Sequence, residues 1–152
     1  MLATDAYLAR LEQTIASLKA WTGFIADVAA IETSEGASSW RLVIRPKAPQ
    51  ACPVELLLRH DQLYDIAVAS EVYEDQPAED LEAFLPMIEA IAEGRVVTRT
   101  EQSRATGAVY AVETRIASGA GKAWVRRRVL PAARLADPEQ TIFTDRHYTP
   151  YR

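Results

Sequence analysis

Few residues of this chain have both the type and the spacing that chemistry requires. Nucleophilic or general-base catalysis needs a nucleophile and a base within hydrogen-bond reach of each other, and the chain offers His60, His147 and a single cysteine, Cys52. His60 falls in a predicted hairpin turn and His147 near the last residue, and the sequence places neither beside Cys52. Flanked by Ala51 and Pro53, that cysteine reads as a small buried hydrophobe, not a reactive thiolate. No H-x-x-x-H, C-x-x-C or calcium-loop pattern occurs, so neither a metal site nor a cofactor is predicted, and no catalytic residue is assigned.

Two denser strings can be tested. Glu71, Glu74, Asp75, Glu79, Asp80 and Glu82 form the one rich carboxylate region. They can bind a cation or a basic partner, but Glu79, Asp80 and Glu82 stand where acids complement the start of a helix. Ser118-Gly119-Ala120-Gly121-Lys122-Ala123 has the look of a phosphate-binding loop. The pattern fails: Ile116 stands where the first glycine is needed, Ala123 where Ser or Thr is needed, and a β-pattern follows instead of a helix. It is read as a hairpin turn.

The feature with most chemical content is the arginine-rich last meander. With Gly107 left-handed in one turn and residues 118–121 in the next, Val96 faces Ile116, Arg99 faces Glu113, Ile116 faces Ala123, Thr114 faces Val125 and Glu113 faces Arg126. This register turns Val96, Tyr110, Val112, Ile116, Ala123, Val125 and Val129 inward. It turns Arg99, Arg115, Trp124, Arg126 and Arg128 outward around Glu113. Such a face suits nucleic acid or an acidic protein; equally, it is a solvated strand face, or one that the acidic first half covers within the fold or in a dimer. The second reading is favoured. Arg127 falls on the inward side, which demands a partner. A carboxylate of the first half, an anionic ligand in a pocket shared with Tyr110, or a register displaced by one residue each answers that demand.

The elements that must position these residues follow from periodicity. Leu8, Leu11, Ile15 and Leu18 predict a helix over residues 5–21, capped by Thr4 or Asp5 and stopped at Gly23. A strand is predicted from Phe24 to Ile31, with continuation of the helix as the alternative, then strands over 40–46, 54–59 and 63–73. Pairing Leu58 with Tyr64 aligns Leu56 with Ile66 and Val54 with Val68. Residues 78–93 predict a second helix, bent at Pro86 and ended by Gly94. The fold class is α+β: two helices packed on antiparallel β-meanders, in the order helix, about four strands, helix, three strands. Residues 1–136 form one domain, and 137–152 an irregular tail that covers a sheet edge or stays mobile.

Charge is segregated along the chain. Of a net −4, residues 1–94 carry 6 Lys or Arg against 16 Asp or Glu, and residues 95–152 carry 11 against 5. No apolar run approaches the ~20 residues of a membrane helix, no signal peptide is apparent, and a cytoplasmic protein is expected. Size and element order, and these alone, make the chain similar to bacterial secretion chaperones and toxin-neutralising immunity proteins. The resemblance transfers no residues. The favoured function is a non-catalytic protein-binding domain, adaptor, chaperone-like or immunity-like, with a protein partner or self-association. The alternatives are a ligand-binding or enzymatic domain with a pocket at Arg127 and Tyr110, or nucleic-acid binding through Arg99, Arg115, Arg126 and Arg128.

Overall fold

The structure, a computed structural model, describes residues 2–119 and 121–152; Ala120, in the turn expected over residues 118–121, lies outside them. Two helices and two antiparallel sheets make an α+β fold. Helix α1 (Thr4–Thr22) is followed by strands β1 (Ala29–Glu35), β2 (Ser39–Pro46), β3 (Val54–Arg59), β4 (Leu63–Val68) and β5 (Glu71–Pro77), which pair consecutively in a five-stranded sheet. Helix α2 (Phe84–Ala92) leads to β6 (Val96–Ser103), β7 (Val109–Ala117), β8 (Ala123–Val129) and β9 (Thr141–His147), which form a second sheet in the order β8-β7-β6-β9. No helix is long and apolar enough to cross a membrane among the described residues.

Several expectations hold at residue level. Leu58 pairs with Tyr64, Leu56 with Ile66 and Val54 with Val68; Val96 pairs with Ile116 and Arg99 with Glu113. Others need correction. The buried stripe of α1 is Tyr7, Leu11, Thr14 and Leu18, with Leu8 and Ile15 at its margin. Tyr7 can be buried because its hydroxyl donates to the Arg59 carbonyl at 2.6 Å, so its polar end is satisfied. Neither Thr4 nor Asp5 caps α1, whose N-cap is Ala3. The strand expected from Phe24 starts at Ala29, since Gly23–Ile25 continue the helix as a 3-10 turn.

The strand expected over 63–73 is two strands, β4 and β5, because Ala69 adopts a left-handed φ of 56° and turns the chain back on itself. The second helix is shorter than expected: Asp80 caps a 3-10 turn at Leu81–Ala83, and α2 starts at Phe84. Pro86 is then the third residue of α2, among the first four whose backbone N–H has no partner within the helix, so the proline removes no hydrogen bond of α2. The tail is not irregular throughout. Residues 141–147 form β9, which pairs along β6 from Val97 to Ser103 and so covers that edge.

One core joins the helices to both sheets. It takes Tyr7, Leu11 and Leu18 from α1, Trp40, Leu42, Leu56, Leu58 and Ile66 from the first sheet, Phe84, Ile88 and Ile91 from α2, and Val96 and Ile116 from the second sheet. The last residues close over it. Tyr148 and Tyr151 are buried; the Tyr151 hydroxyl donates to the Cys52 carbonyl at 2.7 Å, and its amide donates to the Ala92 carbonyl at 2.8 Å. Arg152 donates to both carboxylate oxygens of Asp27, at 2.9 and 2.8 Å.

Gly94 makes that closure fit. Its φ is +79°, and a Cβ there would lie 2.8 Å from the Pro150 nitrogen. Gly107 is also left-handed, at +75°, but a Cβ there meets nothing within 4 Å. Gly107→Ala therefore costs only the left-handed backbone penalty, about 1 kcal/mol. Gly94→Ala costs more, about 2–3 kcal/mol, because backbone must also move. Chemical denaturation of the two variants checks the ranking, and equal losses would contradict it.

Candidate interaction surface

The arginines of the last meander are divided between two faces. In β8, Trp124 pairs with Ile116, Arg126 with Thr114 and Arg127 with Glu113, one residue away from the expected register. The turn before β8 is the cause: Ala117 pairs with Ala123, and the Ser118 hydroxyl donates to the Lys122 carbonyl at 2.9 Å, a longer loop than residues 118–121. Because side chains alternate along a strand, a slip of one residue exchanges the faces. Trp124, Arg126 and Arg128 turn toward the first sheet, and Val125, Arg127 and Val129 turn outward.

The inward group forms a polar seam between the sheets. Glu71 has only 7% of its side chain exposed and accepts from Arg128 twice, at 2.7 and 3.0 Å. Its position opposite Val68 at the start of β5 points its carboxylate to β8. The Tyr73 and Thr114 hydroxyls share a 2.7 Å hydrogen bond, and burial raises the Tyr73 pKa. Trp124 Nε1 donates to the Tyr64 hydroxyl at 2.8 Å, while its ring meets Tyr73 edge-on. Arg126 lies 4.7 Å over the Trp124 ring and donates to Gln76 Oε1 at 2.6 Å. The face of Arg99, Arg115, Trp124, Arg126 and Arg128 around Glu113 does not exist: three of its members are bound to the first half of the chain.

Arg127 is likewise not an inward residue. Half exposed, it pairs with Glu101 on the outer face, whereas Tyr110 is buried on the opposite face. The two share no pocket. A cleft of about 460 Å³ lies elsewhere, between α1 and the approach to α2, lined by Arg10, Thr14, Asp80 and Glu82 among others. Among the described residues no group of three His, Cys, Asp or Glu is arranged to hold a metal ion. Cys52 is buried, and burial pushes its thiol up to about 12.

What remains on the outside of the second sheet is Arg99, Arg115 and Arg127 with three acids. Across the four strands one row reads Arg127, Glu113, Arg99, Asp145, from β8 through β7 and β6 to β9. Arg99 grips Asp145 with two bonds, at 2.8 and 3.0 Å, and Arg115 lies 3.5 Å from Glu113. Those bonds hold the Asp145 carboxyl below the usual carboxylate range. Its folded-state pKa is the lowered one, so the pair stabilises the fold fully above the ordinary Asp value of about 4 and ceases to as pH falls through the lowered value. The next row carries Val129, Ala111, Glu101 and Phe143, and both Val129 and Phe143 are 57% exposed. Asp145 and Phe143 are not among the residues expected from the sequence, where 137–152 reads as irregular; the alternation of TIFTDRH is the signal that carries them.

Two outcomes test this division. Arg128→Ala leaves the Glu71 carboxylate buried without its partner and lowers stability by about 2 kcal/mol, whereas Arg127→Ala, on the solvent side, costs no more than about 1 kcal/mol; the reverse order in urea unfolding would contradict the observed faces. Cys52 in the native protein resists thiol reagents at pH 8 and reacts once unfolded, and rapid native reaction would contradict its burial. In comparisons with protein-family models, curated proteins and solved structures, nothing matches this chain.

Proposed function

We propose that the protein is a non-catalytic binding domain, an adaptor or chaperone-like module, that acts through protein–protein contact on the outer face of β6–β9, in the cytoplasm. The observation that carries this reading is the composition of that face: Phe143 and Val129 stand 57% exposed in the row next to Arg99 and Arg127, with Arg115 one row further. Aromatic and arginine side chains together are the mixture enriched at protein interfaces. Nucleic acid is disfavoured there, since Glu101, Glu113 and Asp145 alternate with the arginines and would meet a phosphate backbone with as many carboxylates. The seam arginines, Arg126 and Arg128, contribute indirectly by fixing which face is outward.

Photo-crosslinking in cells tests the reading. A benzophenone side chain at Phe143 gives a covalent adduct with a protein. The same probe at Phe24, which is 74% exposed but lies outside this face, gives none. Absence of any adduct at Phe143, or equal adducts at the two positions, would refute the proposal.

A further inference from the structure

The charge row on the outer face has a symmetry that its function as a contact surface makes useful. Arg127, Glu113, Arg99 and Asp145 occupy β8, β7, β6 and β9 in spatial order, so the signs run plus, minus, plus, minus. The row is antisymmetric about the line between β7 and β6. A two-fold axis along that line, parallel to the strands, lays one copy of the sheet face to face on another and brings each column onto its mirror column. Arg127 then meets Asp145 of the other copy, Glu113 meets Arg99, and Val129 meets Phe143. A two-fold axis across the strands and centred on the row would instead set each charge against itself.

We propose that the occupant of this face is a second copy of the same chain, in an isologous dimer built on that axis; the proposal rests on the reading of this face as a protein-contact surface. A two-fold interface must be self-complementary, each residue finding its complement on the same patch, and this row satisfies that condition for every charge it holds. The two exposed large apolar residues of this face agree with it: Val129 and Phe143, each 57% exposed, sit at opposite edges of the sheet, and the axis brings them together. Sheets packed face to face are rotated by about 30°, so the central Glu113–Arg99 contacts, nearest the axis, are the best preserved. With strands ~4.8 Å apart and ~3.3 Å per residue, the face spans roughly 19 by 23 Å. A pair therefore buries on the order of 1,000 Å², the lower end for specific complexes. The dimer is accordingly reversible, forms in the micromolar range and weakens with salt.

Sedimentation velocity on purified protein tests this with two single variants. Arg99→Glu sets Glu against Glu113 of the other copy, and Glu113→Arg sets Arg against Arg99. Each alone is monomeric at concentrations where the wild type is dimeric. Mixed in equal amounts they form a mixed dimer, because both central contacts become complementary again. Circular dichroism establishes that each variant is folded. Phe143→Lys, at a position exposed in the lone chain, provides an independent variant that is also monomeric. A wild type that stays monomeric to hundreds of micromolar, single variants as dimeric as the wild type, or folded variants that fail to associate on mixing would overturn the dimer. If Phe143 then crosslinks to a different protein in cells, the contact surface stands and only its occupant is wrong.

Discussion

A carboxylate that is nearly removed from water must keep a cation, and in this fold the carboxylate is Glu71. Its bidentate bond to Arg128 crosses between the two sheets, where leaving the buried carboxylate unmatched costs more than an exposed pair returns. The Tyr73–Thr114 and Trp124–Tyr64 bonds repeat the restriction along the same seam. Together they leave β8 one register. Displacing that strand by one residue would bury Arg127 beside the first sheet, carry Arg128 to the outside and strand Glu71.

Part of the segregated charge of the chain is matched inside one molecule. Glu71 pairs with Arg128 and, at the far end, Asp27 with Arg152, while the Gln76 amide oxygen accepts from Arg126. What is left for the outside of the second sheet is a balanced set of three arginines and three acids, ordered by the strand sequence β8-β7-β6-β9. The composition of that face is thus a consequence of the seam. The same interaction that holds the sheets together decides which side chains a partner can touch.

Much of the fold is visible in the sequence wherever local pattern and tertiary demand agree. The β3–β4 pairing follows from Leu56, Leu58, Tyr64 and Ile66 alternating on either side of a polar turn, and the apolar spacing over Phe84, Ile88 and Ile91 carries α2. The errors arise where they conflict. Ala69 turns left-handed without being glycine, so nothing marks the break between β4 and β5. In β8 both faces contain apolar residues, Val125 and Val129 against Trp124. The tryptophan has the larger surface to bury, and Glu71, 57 residues away, needs an arginine beside it; neither demand is visible in the local alternation. Strand β9 was hidden between Pro138 and Pro150, although β6 had an edge to fill. The candidate site suffered most, because alternation turns one misplaced residue into an exchange of faces.

The register of β8 is accordingly the claim on which the account stands, and cross-strand backbone contacts seen by NMR measure it most directly. Contacts joining Thr114 to Arg126 and Val112 to Arg128 are predicted. Contacts joining Thr114 to Val125 and Glu113 to Arg126 would return Arg126 and Arg128 to the outer face and contradict both the seam and the outer face derived from it.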